Sequence, residues 1–317
     1  MKIIEPKVER ISERDPLKRI EIAGRTCYKS ESRITEGSAE KFVKDAIDRG
    51  HESVIEHANI IITMDTFDAV PLFNTVSALK LIGETIMLRI TEFPRTVISG
   101  NARMWRDFFR ACLRNELIIP SNIRVLGEKH PTLFPELYFT PIFEYTRKYF
   151  PITFLDNEHL TDEEKLVHAC ETFRITCDRG VSHEIVRHRP ASYSQESTRY
   201  CNYSKSGFGN ELTFISPSTL ERNGQAYRIW ERDCDRSESA YFDLLIEGCT
   251  PQEARSVLPN SLKTEVVMTA DLREWRHFLT LRCDPAAHPD MRVVAKMLLK
   301  ELRQRYPAIF KGIEGGE

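Results

Sequence analysis

Arg187-His188-Arg189-Pro190-Ala191-Ser192-Tyr193-Ser194-Gln195-Glu196-Ser197-Thr198-Arg199-Tyr200 gathers three arginines, a histidine, three serines and a glutamine into one short stretch. Guanidinium forks bind phosphate oxygens two at a time, and hydroxyls and amides complete the hydrogen bonding around an anion. The pattern therefore points to a phosphorylated ligand. Composition alone supports equally an exposed, charged helix end of little energetic consequence. Locally, Ser182 reads as the cap of a helix running through His183 to His188, and Pro190 ends it by disfavouring helix at the residue before. The polar and aromatic run Ser192 to Tyr203 reads as a loop.

Working outward, Phe173-Arg174-Ile175-Thr176-Cys177 alternates as a strand does, and Asp178-Arg179-Gly180 ends it. Upstream, Thr161-Asp162-Glu163-Glu164 is a capping box opening a short helix. Residues 115–160 are rich in proline and aromatics and show little periodicity. Residues 100–115 read as a helix, Ala58 to Met64 as a β-branched strand, and 37–50 as a helix. In that last helix Ala39, Phe42, Val43, Ala46 and Ile47 line one face, and Gly50 is the stop. Downstream, Ser237 to Glu247 is helical and ends at Gly248. Thr250-Pro251-Gln252-Glu253 restarts a helix, with a threonine cap and proline in the first turn. Lys263 to Ala270 contains Val266-Val267-Met268-Thr269, a strand candidate. Asp271-Leu272-Arg273-Glu274 is a further capping box, opening a helix through Arg282, and Pro289 begins a last helix reaching about Arg305. The mixture, without regular alternation, is α/β or α+β.

The 317 residues carry 45 Lys+Arg against 47 Asp+Glu, a formal charge of −2, with 41% hydrophobic and 29% charged residues. These proportions exclude collagen, coiled coil and wholesale disorder. They also argue against a protein that coats nucleic acid by bulk electrostatics. No apolar run of membrane-spanning length occurs, and Met1 to Pro6 lacks the apolar core of a secretory leader. The eight cysteines form no Cys-x-x-Cys pair, so reduced thiols of a cytoplasmic protein are expected, several of them buried. His183 and His188 are five apart and miss the spacing that puts two ligands on one helix face, so no metal is expected. Neither a Gly-x-Gly-x-x-Gly fingerprint nor a Gly-Lys-Ser/Thr phosphate loop is present.

The extended string, Arg187-His188-Arg189 followed by Ser192, Gln195-Glu196-Ser197 and Arg199-Tyr200, resembles the signature of the flavin-dependent thymidylate synthases, the ThyX family. Other blocks occur in that family's order: Ala23-Gly24-Arg25-Thr26-Cys27-Tyr28, His51-Glu52-Ser53-Val54-Ile55-Glu56-His57, Ser182 to Val186, and Ala254-Arg255-Ser256-Val257-Leu258-Pro259. Leu272 to Arg282 is similar to the family's Leu-Arg-x-x-x-x-Phe-Leu-x-Leu-Arg, and Ala287 to Arg292 follows it. The resemblance covers about 20–67 and 169–305. Departures are Asp271 and Ser194, where asparagine is common, and a long segment near 68–168 that compact members lack.

The resemblance implies a ThyX-type fold, a central sheet flanked by helices, as one catalytic domain over 1–317 with a largely helical or irregular insertion at about 68–168. It implies reductive methylation of dUMP to dTMP, with methylenetetrahydrofolate as carbon donor, NADPH as reductant through FAD, and no cysteine nucleophile. In that reading Arg282 is catalytic, stabilising charge on the pyrimidine carbonyls from a helix C-terminus. Glu184, Arg187, Gln195, Ser197, Arg199, Arg255 and Arg282 bind the substrate. Ser53, Glu56, Arg187, His188, Arg189, Gln195, Arg273 and His277 bind FAD. His51 and His57 are as readily core histidines. A homotetramer with shared sites, no nucleic-acid partner and no membrane association are implied. The rival readings are a nucleic-acid-binding protein clamping phosphate with the Arg-His-Arg loop, a flavoprotein methylating uracil within RNA, and a catalytically inactive family member.

Overall fold

The computed structural model describes residues 1–92, 95–139, 142–143, 152–204 and 210–314. The chain divides into two compact units: Met1–Ser12, Ala23–Ser32 and Glu171–Glu317 form the first, Glu13–Ile22 and Arg33–Cys170 the second. The α/β expectation holds, with the sheet content distributed over small sheets.

The first unit centres on a four-stranded sheet whose neighbours run Ala191–Gln195, Lys263–Asp271, Cys170–Asp178 and Lys7–Arg10. Strand Ala191–Gln195 is antiparallel to Lys263–Asp271, with Tyr193 opposite Met268. The expected loop at 192–203 thus begins as a strand. Its burial alternates, with Ser192 and Ser194 turned inward, and serine's small polar side chain hides this period from a hydrophobicity reading. The preceding helix is Arg179–Ile185, not one capped by Ser182: Asp178 is the cap, its Oδ1 accepting from Val181 N at 2.8 Å. Ser182 is buried inside that helix and donates back to the Arg179 carbonyl at 2.8 Å. Asp and Ser are both good caps, and the earlier one won because the strand ends there.

Asp271 caps helix Leu272–Arg282 by accepting from Glu274 N at 2.8 Å. This helix buries Trp275, Phe278 and Leu279. The Trp275 ring meets Phe173 edge-on at 5.3 Å and Phe278 at 5.7 Å, contacts that add to the area term for aromatic pairs. Helix Pro289–Arg305 begins and ends where proline and the last periodic leucine predict; Met291, Val294, Ala295, Leu298, Leu299 and Leu302 form its buried stripe. Helix Gln225–Ile246 is longer than its apolar pattern suggests, and Gly248 follows it at φ 89°.

The second unit holds another four-stranded sheet, in the order Arg89–Thr91, Thr96–Asn101, Asn59–Met64 and Thr153–Leu155. Segment 68–168 is therefore more regular than its composition suggests, since it supplies three of these strands. Helix Ala102–Arg114 packs Trp105, Phe108 and Phe109 into the core of this unit, where Phe109 meets Phe134 edge-on at 5.7 Å. The capping box at Thr161 forms and opens helix Asp162–His168. Buried His168 is held between Ser99 Oγ at 2.8 Å and Thr91 Oγ1 at 2.9 Å. Among the described residues no helix is long and apolar enough to cross a membrane.

Candidate active site

In the first unit the last residue of helix Leu272–Arg282 faces the end of helix Arg179–Ile185 and the chain just beyond it. Arg282 Nη1 donates to Glu184 Oε2 at 2.6 Å, Nη2 to the Glu184 carbonyl at 3.3 Å, and Nε to His188 Nε2 at 2.9 Å. A guanidinium at a helix C-terminus is favoured by the backbone dipole, and two sides of its fork are fixed here by the protein. His188 is buried, with its ring against Phe278 at 4.6 Å and His277 at 5.9 Å. Burial, then the neighbouring Arg282, push its pKa down to about 4, so it is a neutral imidazole near pH 7.

The remaining guanidiniums differ in commitment. Arg189 folds back, donating to the Val186 carbonyl at 2.6 Å and lying over the Tyr193 ring. Arg199 donates to Gln252 Oε1 at 3.2 Å, and its backbone N–H donates to Ser197 Oγ at 3.2 Å. That bond brings the signature strand's sequel against helix Pro251–Ala254, which leads directly into Arg255. Arg187, Arg255 and Arg273 are exposed and make no side-chain hydrogen bond or ion pair among the described residues. Arg273 and His277, four apart on one helix, are exposed on the same face. Gln195 spends its amide donors on buried hydroxyls, Ser182 Oγ at 2.9 Å and Thr264 Oγ1 at 3.2 Å.

The early Ala23–Tyr28 block reaches the signature through the backbone: Ser197 N donates to the Cys27 carbonyl at 3.0 Å, and the Tyr28 and Tyr200 rings lie 5.4 Å apart. Beside it is a cavity of about 380 Å³ lined by Lys29, Glu196, Tyr203 and Lys263, among others. Lys263 Nζ bridges Glu196 at 2.8 Å and Glu265 at 2.7 Å, and Lys29 pairs with Glu265. Burial raises the Glu265 pKa, but the two lysines outweigh it and hold the group at about 2. This charge lattice was missed in the sequence, because Lys29 and Lys263 are isolated there and only the fold joins them.

Ser53 and Glu56 lie on the short 3-10 turn Glu52–His57 of the second unit. Glu56 pairs with Arg103 at 2.8 Å; Glu52 pairs with Arg110 at 2.6 Å and with buried Arg106 at 3.3 Å. His57 is fully buried, and burial drives its pKa down to about 3, which favours the core reading for that residue. His51 is exposed.

The fold and this geometry define a mixed α/β protein with a guanidinium fixed at a helix end beside a neutral histidine, and further arginines without side-chain partners among the described residues. The sequence profile of the family described as "Thymidylate synthase complementing protein" matches residues 10–71 and 155–308, and the chain belongs to that family. Similar curated proteins carry the name flavin-dependent thymidylate synthase. The one from Pyrococcus furiosus is 35% identical over 144 residues, covering 45% of this chain and 58% of that relative. The one from Geobacter sulfurreducens is 34% identical over 153 residues, covering 48% and 64%. The chain thus spans less than two thirds of the length of either relative. A solved structure, a UMP/dUMP methylase PolB from Streptomyces cacaoi bound with 5-Br dUMP, aligns over 98% of this chain and 96% of that one, with a TM-score of 0.42 and 15% identity.

Proposed function

We propose that this protein is an enzyme, a flavin-dependent thymidylate synthase that converts dUMP to dTMP with methylenetetrahydrofolate as carbon donor and NADPH as reductant through FAD. The observation that supports it most is the fixed Arg282 guanidinium with Glu184 and His188, inside a chain that belongs to the family. The donor set suits FAD: Arg187 and Arg273 are exposed and have no side-chain partner among the described residues, as phosphate or ring-oxygen partners should be, with His277 beside Arg273 and His188 neutral. Arg189 and Gln195 complete the proposed set in this unit, and the family resemblance alone adds Ser53 and Glu56 as flavin contacts. When bound, FAD supplies the hydride that replaces thiol chemistry in making the pyrimidine reactive.

The chain's own residues bind, orient and stabilise. Arg199 and Arg255 hold the dUMP phosphate, with Arg187, Ser197, Gln195 and Glu184 as further substrate contacts. Arg282 stabilises negative charge developing on the pyrimidine carbonyls, a contribution of about 3–4 kcal/mol for such a donor. Six of the eight thiols are poorly placed to act as a nucleophile. Burial pushes Cys112, Cys201 and Cys234 up to about 12 and raises Cys27, Cys177 and Cys283, so these six are protonated near pH 7. The nucleic-acid reading is weakened by the near-neutral formal charge of −2. The reading takes 1–317 as one catalytic domain with an insertion at about 68–168, assembled as a homotetramer in the cytoplasm.

The test is direct. Purified protein incubated with dUMP, methylenetetrahydrofolate, NADPH and FAD should yield dTMP bearing the folate-derived carbon. Flavin-loaded protein that forms no dTMP would overturn the proposal.

A further inference from the structure

Glu274 is the first-turn acid of helix Leu272–Arg282, and only half of its expected capping box forms. Its backbone N–H bonds Asp271, but its side chain does not return to the cap. Instead the carboxyl is buried, 6% exposed, and its Oε1 has no hydrogen-bond partner. Leaving a buried acceptor unpaired is costly, so such an oxygen asks for an explanation. His188 faces it, with Nδ1 3.7 Å from Oε1.

The Arg282 side of His188 favours the same proton placement, on Nδ1. Arg282 Nε can only donate, and it donates to His188 Nε2 at 2.9 Å. The imidazole is neutral, so its single proton sits on Nδ1 and faces Glu274. Phe278 and His277 hold the ring in this plane. The opposite tautomer would set two N–H groups against each other at Arg282. We propose that Glu274 is a positioning residue: its carboxyl oxygen, 3.7 Å from His188 Nδ1, draws the Nδ1 proton toward itself electrostatically, which helps keep Nε2 an acceptor and so helps fix where the Arg282 guanidinium points. This rests on the reading of Arg282 as the charge-stabilising group.

His188, Glu274 and His277 also place three possible metal-ligand atoms within 4.8 Å of one another. A metal on Nδ1 would force the histidine proton onto Nε2, against the Arg282 donor, so the Arg282 bond favours a proton at this position over a metal.

Histidine-labelled full-length protein, with His188 assigned through His188→Asn, reports the tautomer by long-range nitrogen-proton correlation. Wild type and Glu274→Gln, which keeps an acceptor, should show Nδ1 protonated and Nε2 bare. Glu274→Leu should cut the tautomer ratio at least about tenfold. An Nε2–H ring in wild type, or an unchanged ratio in Glu274→Leu, would overturn the proposal. So would stoichiometric zinc retained on dialysis and lost in His188→Asn. If Glu274→Leu fails to fold, a pH titration of wild type decides. Burial and then Asp271 raise the Glu274 pKa to about 7, against an opposing pull from Arg273. His188, His277 and Tyr193 also face it; the Nδ1 proton signal should move with a midpoint near 7, and a flat profile would overturn the proposal. The tautomer is read on protein alone, so absence of dTMP synthesis would sink the functional reading without altering this result.

Discussion

Replacing Arg282 with alanine separates folding from chemistry. The Arg282–Glu184 pair is partly exposed, 21% and 32%, so its loss costs at most about 1 kcal/mol of stability. Leaving Nε2 of buried His188 without a donor adds about 1–3 kcal/mol. The variant should therefore stay folded with a lowered Tm. Turnover should suffer far more. A fixed donor aimed at developing charge contributes about 2.7–4 kcal/mol, so kcat should fall about 10²–10³-fold. Substrate phosphate contacts are elsewhere in this account, so KM for dUMP should change by no more than about threefold. Arg282→Lys, which keeps the charge and loses the two-sided fork, should fall between the two. The assay is steady-state dTMP formation with thermal melts of the same samples. A variant whose kcat stays within about threefold of wild type would refute the charge-stabilising role.

Acid should destabilise the fold in two windows. His57, His168 and His188 have folded pKa values of about 3, 4 and 4, all depressed by burial, so the unfolded chain binds more protons below about pH 6.5. Stability should fall by up to about 1.4 kcal/mol per pH unit for each histidine between there and the folded values; a urea midpoint unchanged from pH 7 to pH 5 would contradict this. Glu265, held at about 2, contributes stability present above the unfolded carboxyl value and lost as pH falls toward 2. Each cysteine changed singly to alanine should leave measurable dTMP synthesis, and one indispensable thiol would revive a nucleophilic mechanism. Mixed oligomers of Arg199→Ala and Arg282→Ala should recover activity if subunits share sites; size-exclusion-verified hybrids without activity would count against that arrangement.

Much of the fold near the site was legible because its local signals are chemical. Thr161 with Glu164, Thr250 with Glu253, Asp271 and Pro289 each mark a helix start by the backbone N–H groups they satisfy or lack. The strand at Ala191–Gln195 escaped because its inward residues are serines, and helix Thr66–Leu81 because it is apolar nearly all round and so has no periodic face. The signature arginines and Arg282 were legible as types, yet their pairing was not: Glu184, His188 and Arg282 are joined only by the fold. Glu274 misled in an instructive way, since its sequence position reads as a cap partner while its carboxyl is turned to His188. The insertion's Arg103, Arg106 and Arg110 became interpretable only once their partners Glu52 and Glu56 were seen on one turn.

The most direct test of the account is the absorbance of the purified protein, followed anaerobically. It should be yellow or take up FAD. After reduction by NADPH, its flavin should reoxidise on adding dUMP and methylenetetrahydrofolate together. A colourless protein that refuses FAD, or a reduced flavin that stays reduced with both substrates present, would contradict it.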